Sequence, residues 1–268
     1  MADLLSETIK KIKPLDKKSM EEARARQDTL TKPQGSLGRL EELSIQMAGI
    51  QGKPIPQIRY KAVITMAGDH GVVAEGVGNW PQDVTAQMVA NFLHGGAGIN
   101  VIARQAGARV VVVDMGVASK LKANPQLLDR KVAPGTQNIA AGPAMTREQA
   151  TKALETGIEI VTAEMTRGLD IVGTGDMGIG NTTPSATICA VITGKTAADV
   201  TGRGTGIDDK MLAHKISIVD KALAVNHPDA RQPLEVLAKV GGFEIGGLAG
   251  VMLGAAANHI PVVIDGFI

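Results

Sequence analysis

An α/β fold, with a doubly wound and mostly parallel sheet beside a small helical domain, is what this 268-residue sequence predicts. Short β-branched runs recur along the chain, amphipathic helical patterns separate them, and glycine-rich turns stand where strand passes into helix. Strands alternating with helices point to a parallel sheet, because parallel neighbours need a crossover between them.

The first stretch offers no strand. Residues 19–29 and 37–49 are helix patterns joined by the turn Lys32-Pro33-Gln34-Gly35, so residues 1–52 read as the N-terminal part of the small helical domain and residues 53–268 as the large one. Four runs, 62–66, 109–114, 169–173 and 261–265, read as buried parallel strands. Between them, residues 147–167 place Ala150, Ala153, Leu154, Gly157, Ile158, Val161 and Met165 on one stripe, and Thr146 with Gln149 has the spacing of a capping box. A second helix, 208–225, turns Leu212, Ile216, Val219 and Leu223 inward, with Asp208 and Asp209 at its positive end.

Composition narrows the function. A formal net charge of +1 gives no electrostatic reason to expect nucleic acid or an anionic membrane as partner, so the ligand should be small. Cys189 is the single cysteine, which excludes an intrachain disulfide framework and a multi-cysteine zinc site and suits a cytoplasmic address. The N-terminus lacks an apolar signal core, and the most apolar stretch, 245–264, is interrupted by Asn258, His259 and Pro261, so no bilayer span is expected. Aromatic residues make up 2% and glycines number 32, which points to a core of aliphatic side chains with close backbone approaches.

The strongest local motif is DIVGTGDMGIGNTTP, from Asp170 to Pro184: a strand, a glycine-rich turn, then a helix of small residues. Unpaired N–H groups at a helix start, with no Cβ in the way, make a phosphate site, and Asn181, Thr182 and Thr183 can add side-chain donors. A ligand-free tight turn is the bland alternative. Gly173, Gly175 and Gly178 also match a dinucleotide fingerprint, but two strands precede them and no acid ends the following stretch, which speaks against a nicotinamide oxidoreductase.

Asp69 and His70 end the first strand, where open α/β sheets bind ligands, and a structural role for Asp69 in accepting loop N–H bonds fits equally. No second histidine stands at a ligand spacing from His70, so no metal or cofactor is expected. Residues 201–209 form another glycine turn opening a helix on which Lys215 lies off the apolar stripe; simple solvation and reaching a sugar or phosphate both fit it.

Taken together, TKPQGSLGRLEE from Thr31, AGDHG from Ala67, PQDVTAQM from Pro81, GTGDMGIGNTTP from Gly173 and GRGTGIDD from Gly202 resemble, in order and spacing, the nicotinate-nucleotide:dimethylbenzimidazole phosphoribosyltransferases. The resemblance covers essentially the whole chain. It implies a Rossmann-like nucleotide-binding large domain, a homodimer, no metal, and phosphoribosyl transfer from nicotinate mononucleotide to 5,6-dimethylbenzimidazole or a related base, giving the α-ribotide of the cobamide lower ligand. Under it, Gly178, Ile179, Gly180, Asn181, Thr182, Thr183, Gly204, Thr205 and Lys215 hold the nucleotide and its phosphate. Gly78, Trp80, Gln87 and Met177 line the aromatic-base pocket, with Gly78 and Trp80 where relatives carry serine and tyrosine. Asp176, the candidate catalytic carboxylate, stands where relatives have a glutamate and reaches one methylene less far. Relatives continue beyond the position of Ile268 and carry their glutamate base there, so a form ending at Ile268 is expected to bind nucleotide better than it turns it over. A catalytically silent, nucleotide-binding partner subunit of the same family is the alternative reading.

Overall fold

The structure, a computed structural model, describes residues 3–268. Helices α1 (Leu4–Lys11), α2 (Lys17–Thr29) and α3 (Arg39–Gln51) precede strand β1 (Lys61–Gly68). Next come α4 (Asp83–His94), α5 (Gly98–Ala106), β2 (Ala108–Gly116), β3 (Leu127–Asp129), α6 (Arg147–Met165) and β4 (Ile171–Met177). The chain closes with α7 (Thr182–Thr193), α8 (Ala197–Val200), α9 (Asp209–Asn226), α10 (Pro233–Val240), α11 (Phe243–Ala257) and β5 (Val262–Val263). No helix among the described residues is long and apolar enough to cross a membrane.

All pairings in the sheet are parallel, in the order β3-β2-β1-β4-β5. The chain starts in the middle, winds outward through β2 and β3, then crosses back to β4 and β5. The strand order therefore reverses between β1 and β4, and a crevice at their carboxyl ends is where such sheets take ligands.

Alternation along the strands feeds two cores. Ile64, Met66, Val111, Val113 and Met115 join a cluster with α6, α10 and α11, whereas Ala67, Val112 and Val117 pack on the other face with Val89 and Phe92 of α4. Helix α11 is apolar on nearly every side and is correspondingly buried. It meets α6 backbone to backbone: a Cβ on Gly157 would lie 1.9 Å from Gly247 O, and one on Gly250 1.9 Å from Leu154 O. The glycine content thus permits a helix contact closer than any side chain allows.

Several elements follow the sequence closely. The capping box at Thr146 forms, with the Gln149 N–H donating to Thr146 Oγ1 at 3.2 Å and the Thr146 N–H to Gln149 Oε1 at 2.9 Å. Asp208 caps α9 by accepting the Met211 N–H at 2.8 Å. Other elements differ. The strand expected over 169–173 runs on to Met177, and β3 went unanticipated because three residues are too short to show a period. Helix α1 was also missed; its Leu5 packs on the main core, while α2 and α3 pair with each other. On α9 the buried face is Lys215, Ile218, Val219, Ala222 and Asn226, rotated from the expected stripe; Leu212, Ile216 and Leu223 are half-buried.

Candidate functional site

The β4–α7 connection forms at the point of strand reversal. Register pairs Met66 with Asp176 and Ala67 with Met177, so the glycine motif enters the crevice beside β1. Gly173 and Gly175 are strand residues; a Cβ on Gly175 would lie 2.9 Å from Thr65 Oγ1. They face the neighbouring strand rather than a turn, which removes the geometry of a dinucleotide fingerprint. The turn proper starts at Gly178, where a Cβ would lie 2.3 Å from Gly68 O. Gly180 has φ +86°, and a Cβ there would lie 2.7 Å from Val73 Cγ2. Both glycines are therefore required by backbone shape and close packing before any ligand is considered.

Hydrogen bonds then select which N–H groups stay free. The Ile179 N–H donates to Thr85 Oγ1 at 3.1 Å, the Asn181 N–H to Gly178 O at 3.0 Å and the Thr183 N–H to Gly180 O at 2.9 Å. Pro184 has none to give. Those of Gly180 and Thr182 are left unpaired among the described residues, at the start of α7.

Lys215 reaches this turn from α9. It is 2% exposed, not solvated as a lone helix lysine would be, and its Nζ donates to Thr182 Oγ1 at 2.6 Å. Burial lowers its pKa to about 8. A small cavity of about 60 Å³ is lined by Gly178, Ile179, Gly180, Asn181, Thr182, Gly204, Thr205 and Lys215, together with Gly78, Trp80 and Arg203. Segments more than a hundred residues apart in sequence thus share one wall. A second cavity of about 280 Å³ adjoins it, sharing Thr182 and Gly204 and reaching Val200 and Phe267.

Four expected site residues lie off that lining. Thr183 is 0% exposed and its Oγ1 has no partner, so its side chain points into the protein rather than at the cleft. Met177 packs against the cluster that contains Val89 and Phe92. Gln87 is exposed on α4, roughly opposite buried Thr85, the residue that grips the turn. Asp176 accepts from Asn181 Nδ2 at 2.7 Å, behind the turn. Burial raises the Asp176 pKa against that hydrogen bond.

Asp69 accepts the Ala118 N–H at 2.7 Å, the structural role its position allowed, and burial raises its pKa. His70 is buried too, and its Nε2 meets Glu244 Oε1 at 2.5 Å. Glu244, Thr85 and Arg203 escaped the sequence reading. For Glu244 the only signal was a carboxylate opening the most apolar helix right after two glycines. Two wider cavities, about 520 and 560 Å³, open at the amino ends of the strands, lined by Asp170 and His259 or by Arg104, Arg109 and Glu164. Their position, not their size, sets them aside, since open parallel sheets take ligands at the opposite edge.

Comparison with known proteins gives the family. A family model described as "Phosphoribosyltransferase" matches residues 12–268. A relative from Dehalococcoides mccartyi, named nicotinate-nucleotide–dimethylbenzimidazole phosphoribosyltransferase, is 60% identical over 266 residues, covering 99% of this chain and 76% of its own. One of the same name from Roseiflexus is 60% identical over 265 residues, covering 99% and 75%. The crystal structure of CobT from Thermus thermophilus superposes with a TM-score of 0.90 at 47% identity, over 93% of this chain and 75% of that one.

Proposed function

Because this chain belongs to the nicotinate-nucleotide–dimethylbenzimidazole phosphoribosyltransferase family, we propose that its cleft between the Gly178 turn and Lys215 holds the phosphate of nicotinate mononucleotide. The ribose phosphate then passes to 5,6-dimethylbenzimidazole or a related aromatic base, giving the α-ribotide of the cobamide lower ligand. The observation that carries this reading is the buried Lys215 ammonium at the start of α7, beside the unpaired N–H groups of Gly180 and Thr182. A cation and free amides with no carboxylate lining the cavity are the complement of a phosphate.

In the reaction, a ring nitrogen of the base attacks the ribose C1′ while the C1′ bond to the pyridinium nitrogen breaks. The bonding electrons leave with nicotinate and neutralise its ring charge, and the imidazole N–H proton is released. Positive charge develops on the ribose as the old bond lengthens, and we assign Asp176, the candidate carboxylate next to the turn, the role of opposing it. Trp80 offers the base a flat apolar face, and glycine at position 78 leaves that wall open. Gln87 supplies a polar contact to the base from α4. We assign residues 1–52 to a small helical domain and residues 53–268 to the Rossmann-like one, and expect a cytoplasmic homodimer.

The test is product formation from nicotinate mononucleotide and dimethylbenzimidazole, run beside calorimetric titration of the nucleotide. Binding with transfer supports the reading. Binding without transfer would support the phosphate assignment alone, and no binding would remove it.

A further inference from the structure

Beneath the Gly178 turn lies a buried pair that the transfer chemistry does not touch. The side chains of His70 and Glu244 are 1% and 0% exposed, so neither meets a ligand in the cleft, and Nε2 of the one lies 2.5 Å from Oε1 of the other. Donation of the Nε2–H to the carboxylate leaves only acceptors, Nδ1 and Oε2, without partners, whereas the reverse would bury an unpaired Nδ1–H. The imidazole is therefore the donor.

Both halves of the pair are fixed by the elements that carry them. Around His70 the Asp69 N–H donates to Gly116 O at 2.9 Å, the Thr136 N–H to Asp69 O at 2.9 Å and the Gly71 N–H to Thr136 O at 3.1 Å. Glu244 lies in the first turn of α11 beside buried Phe243, whose ring abuts Gly116 of β2. The phosphate turn rests on what these elements hold: Gly178 is buried, and a Cβ on it would lie 3.1 Å from His70 Nε2 and 3.2 Å from Glu244 Oε1. One on Gly68 or on Gly242 would lie 2.8 Å from Glu244 Oε2, so glycines from three segments close on the same two side chains. The next residue is held as well, since Thr85 takes the Ile179 N–H, and the free N–H groups of Gly180 and Thr182 follow directly.

We propose that His70 and Glu244 are positioning residues for the nucleotide site: as a hydrogen-bonded pair they form a rigid seat under Gly178 and so fix where the Gly180 and Thr182 N–H groups face the phosphate. This deepens, and rests on, the reading of the turn as the phosphate site. The physical reason is packing. Truncating either side chain leaves a void under backbone that has no side chain of its own to fill it, and a turn that sinks into the void misaligns hydrogen bonds whose strength falls steeply with angle.

The test compares Glu244→Ala, which empties the seat, with Glu244→Gln, which keeps its volume and an acceptor for the His70 N–H. Ile160→Ala, a truncation of a buried core residue on α6, supplies a loss of stability away from the turn. In amide NMR of the ligand-free full chain, Glu244→Ala should move the Gly180 and Thr182 signals. Calorimetry on the folded protein should show nicotinate mononucleotide binding weakened at least about 10-fold, the worth of one misaligned bond to a charged group. Glu244→Gln should keep both close to wild type, and Ile160→Ala should leave both unchanged. Wild-type signals and affinity in Glu244→Ala overturn the proposal. Equal losses in Glu244→Gln overturn it too, by making charge rather than shape the cause, and equal losses in Ile160→Ala do so by making general destabilisation the cause. If Glu244→Ala does not fold, His70→Ala carries the same expectation, and the wild type decides by itself: the Ile179 amide should exchange as slowly as those of β1, and fast exchange rules out a rigid seat. A wild type that binds no nucleotide would count against the phosphate reading, while the ligand-free amide signals still decide the seat.

Discussion

Lys215 Nζ donates to Thr182 Oγ1 across 2.6 Å, tying the middle of α9 to the first residue of α7. The bond joins a buried cation to the residue whose backbone N–H opens the proposed phosphate site. With the Lys215 pKa lowered to about 8 by burial, the ammonium is present below that pH and lost above it. Affinity for nicotinate mononucleotide should be flat below about pH 8 and fall above it by up to about tenfold per unit. Titration calorimetry across pH 6.5–9.5 checks this; constant affinity across that range would show that Lys215 carries no share of phosphate binding. The stability sign is opposite. Between about 8 and the ordinary 10.5 the unfolded chain still holds a proton that the folded chain has released, so this residue's contribution to stability rises with pH.

Lys215→Met should separate fold from binding. Removing a buried charge in favour of an apolar side chain of similar length should leave the ligand-free protein as stable or more stable at pH 7. Nucleotide affinity should drop about 10- to 100-fold, the worth of about 1.5–3 kcal/mol for a hydrogen bond to a charged group. Thermal melts with and without nucleotide measure both, and a variant that melts earlier but binds normally would contradict the assignment.

Gly180 tests backbone shape. Its φ of +86° and the 2.7 Å approach to Val73 Cγ2 mean that even Gly180→Ala should cost about 1–3 kcal/mol in urea unfolding. Gly180→Val therefore reports first on the fold, and loss of binding in it does not by itself locate the phosphate. An alanine variant of wild-type stability would mean that the turn relaxes freely.

Thr85 and Gln87 should behave differently although they are two residues apart. Thr85→Val deprives the Ile179 N–H of its acceptor, so stability should fall by about 1–3 kcal/mol and nucleotide affinity with it. Gln87→Leu, on the exposed side of α4, should leave stability within about 0.5 kcal/mol and change the preference among aromatic bases. Competition assays with two bases, alongside unfolding curves, distinguish the pair; equal effects of Gln87→Leu on base and nucleotide would place it elsewhere.

At the α6–α11 contact, Gly250→Ala would drive a methyl group to 1.9 Å from Leu154 O. The helices must separate, at a cost of about 1–3 kcal/mol or more, read from the shift of the urea midpoint. Nucleotide affinity in the folded fraction should be unchanged, since the contact lies away from the cleft.

Much of this protein is legible in one dimension. Alternating β-branched runs and helical stripes were enough to place β1, β2 and α6, because a period of two or 3.6 is a local property that burial rewards directly. The Gly178 turn was legible for the same reason, since strand, glycine and small-residue helix follow one another in a dozen residues. Whole-chain order of motifs identified the family. What the sequence could not decide is which side of a helix faces inward when neighbours arrive from elsewhere. The local pattern left Lys215 open between solvation and the site because charge and apolar period were its only guides, and it is buried because Thr182 and Gly204, remote in sequence, close over it. Thr183 looked like a phosphate donor and its side chain points into the protein; Gly175 looked like part of the turn and is strand. The pairing of His70 with Glu244 spans 174 residues and has no local period at all. Only the crossover that returns the chain to β4 and lays α11 over β1 brings them together, as a buried hydrogen-bonded pair.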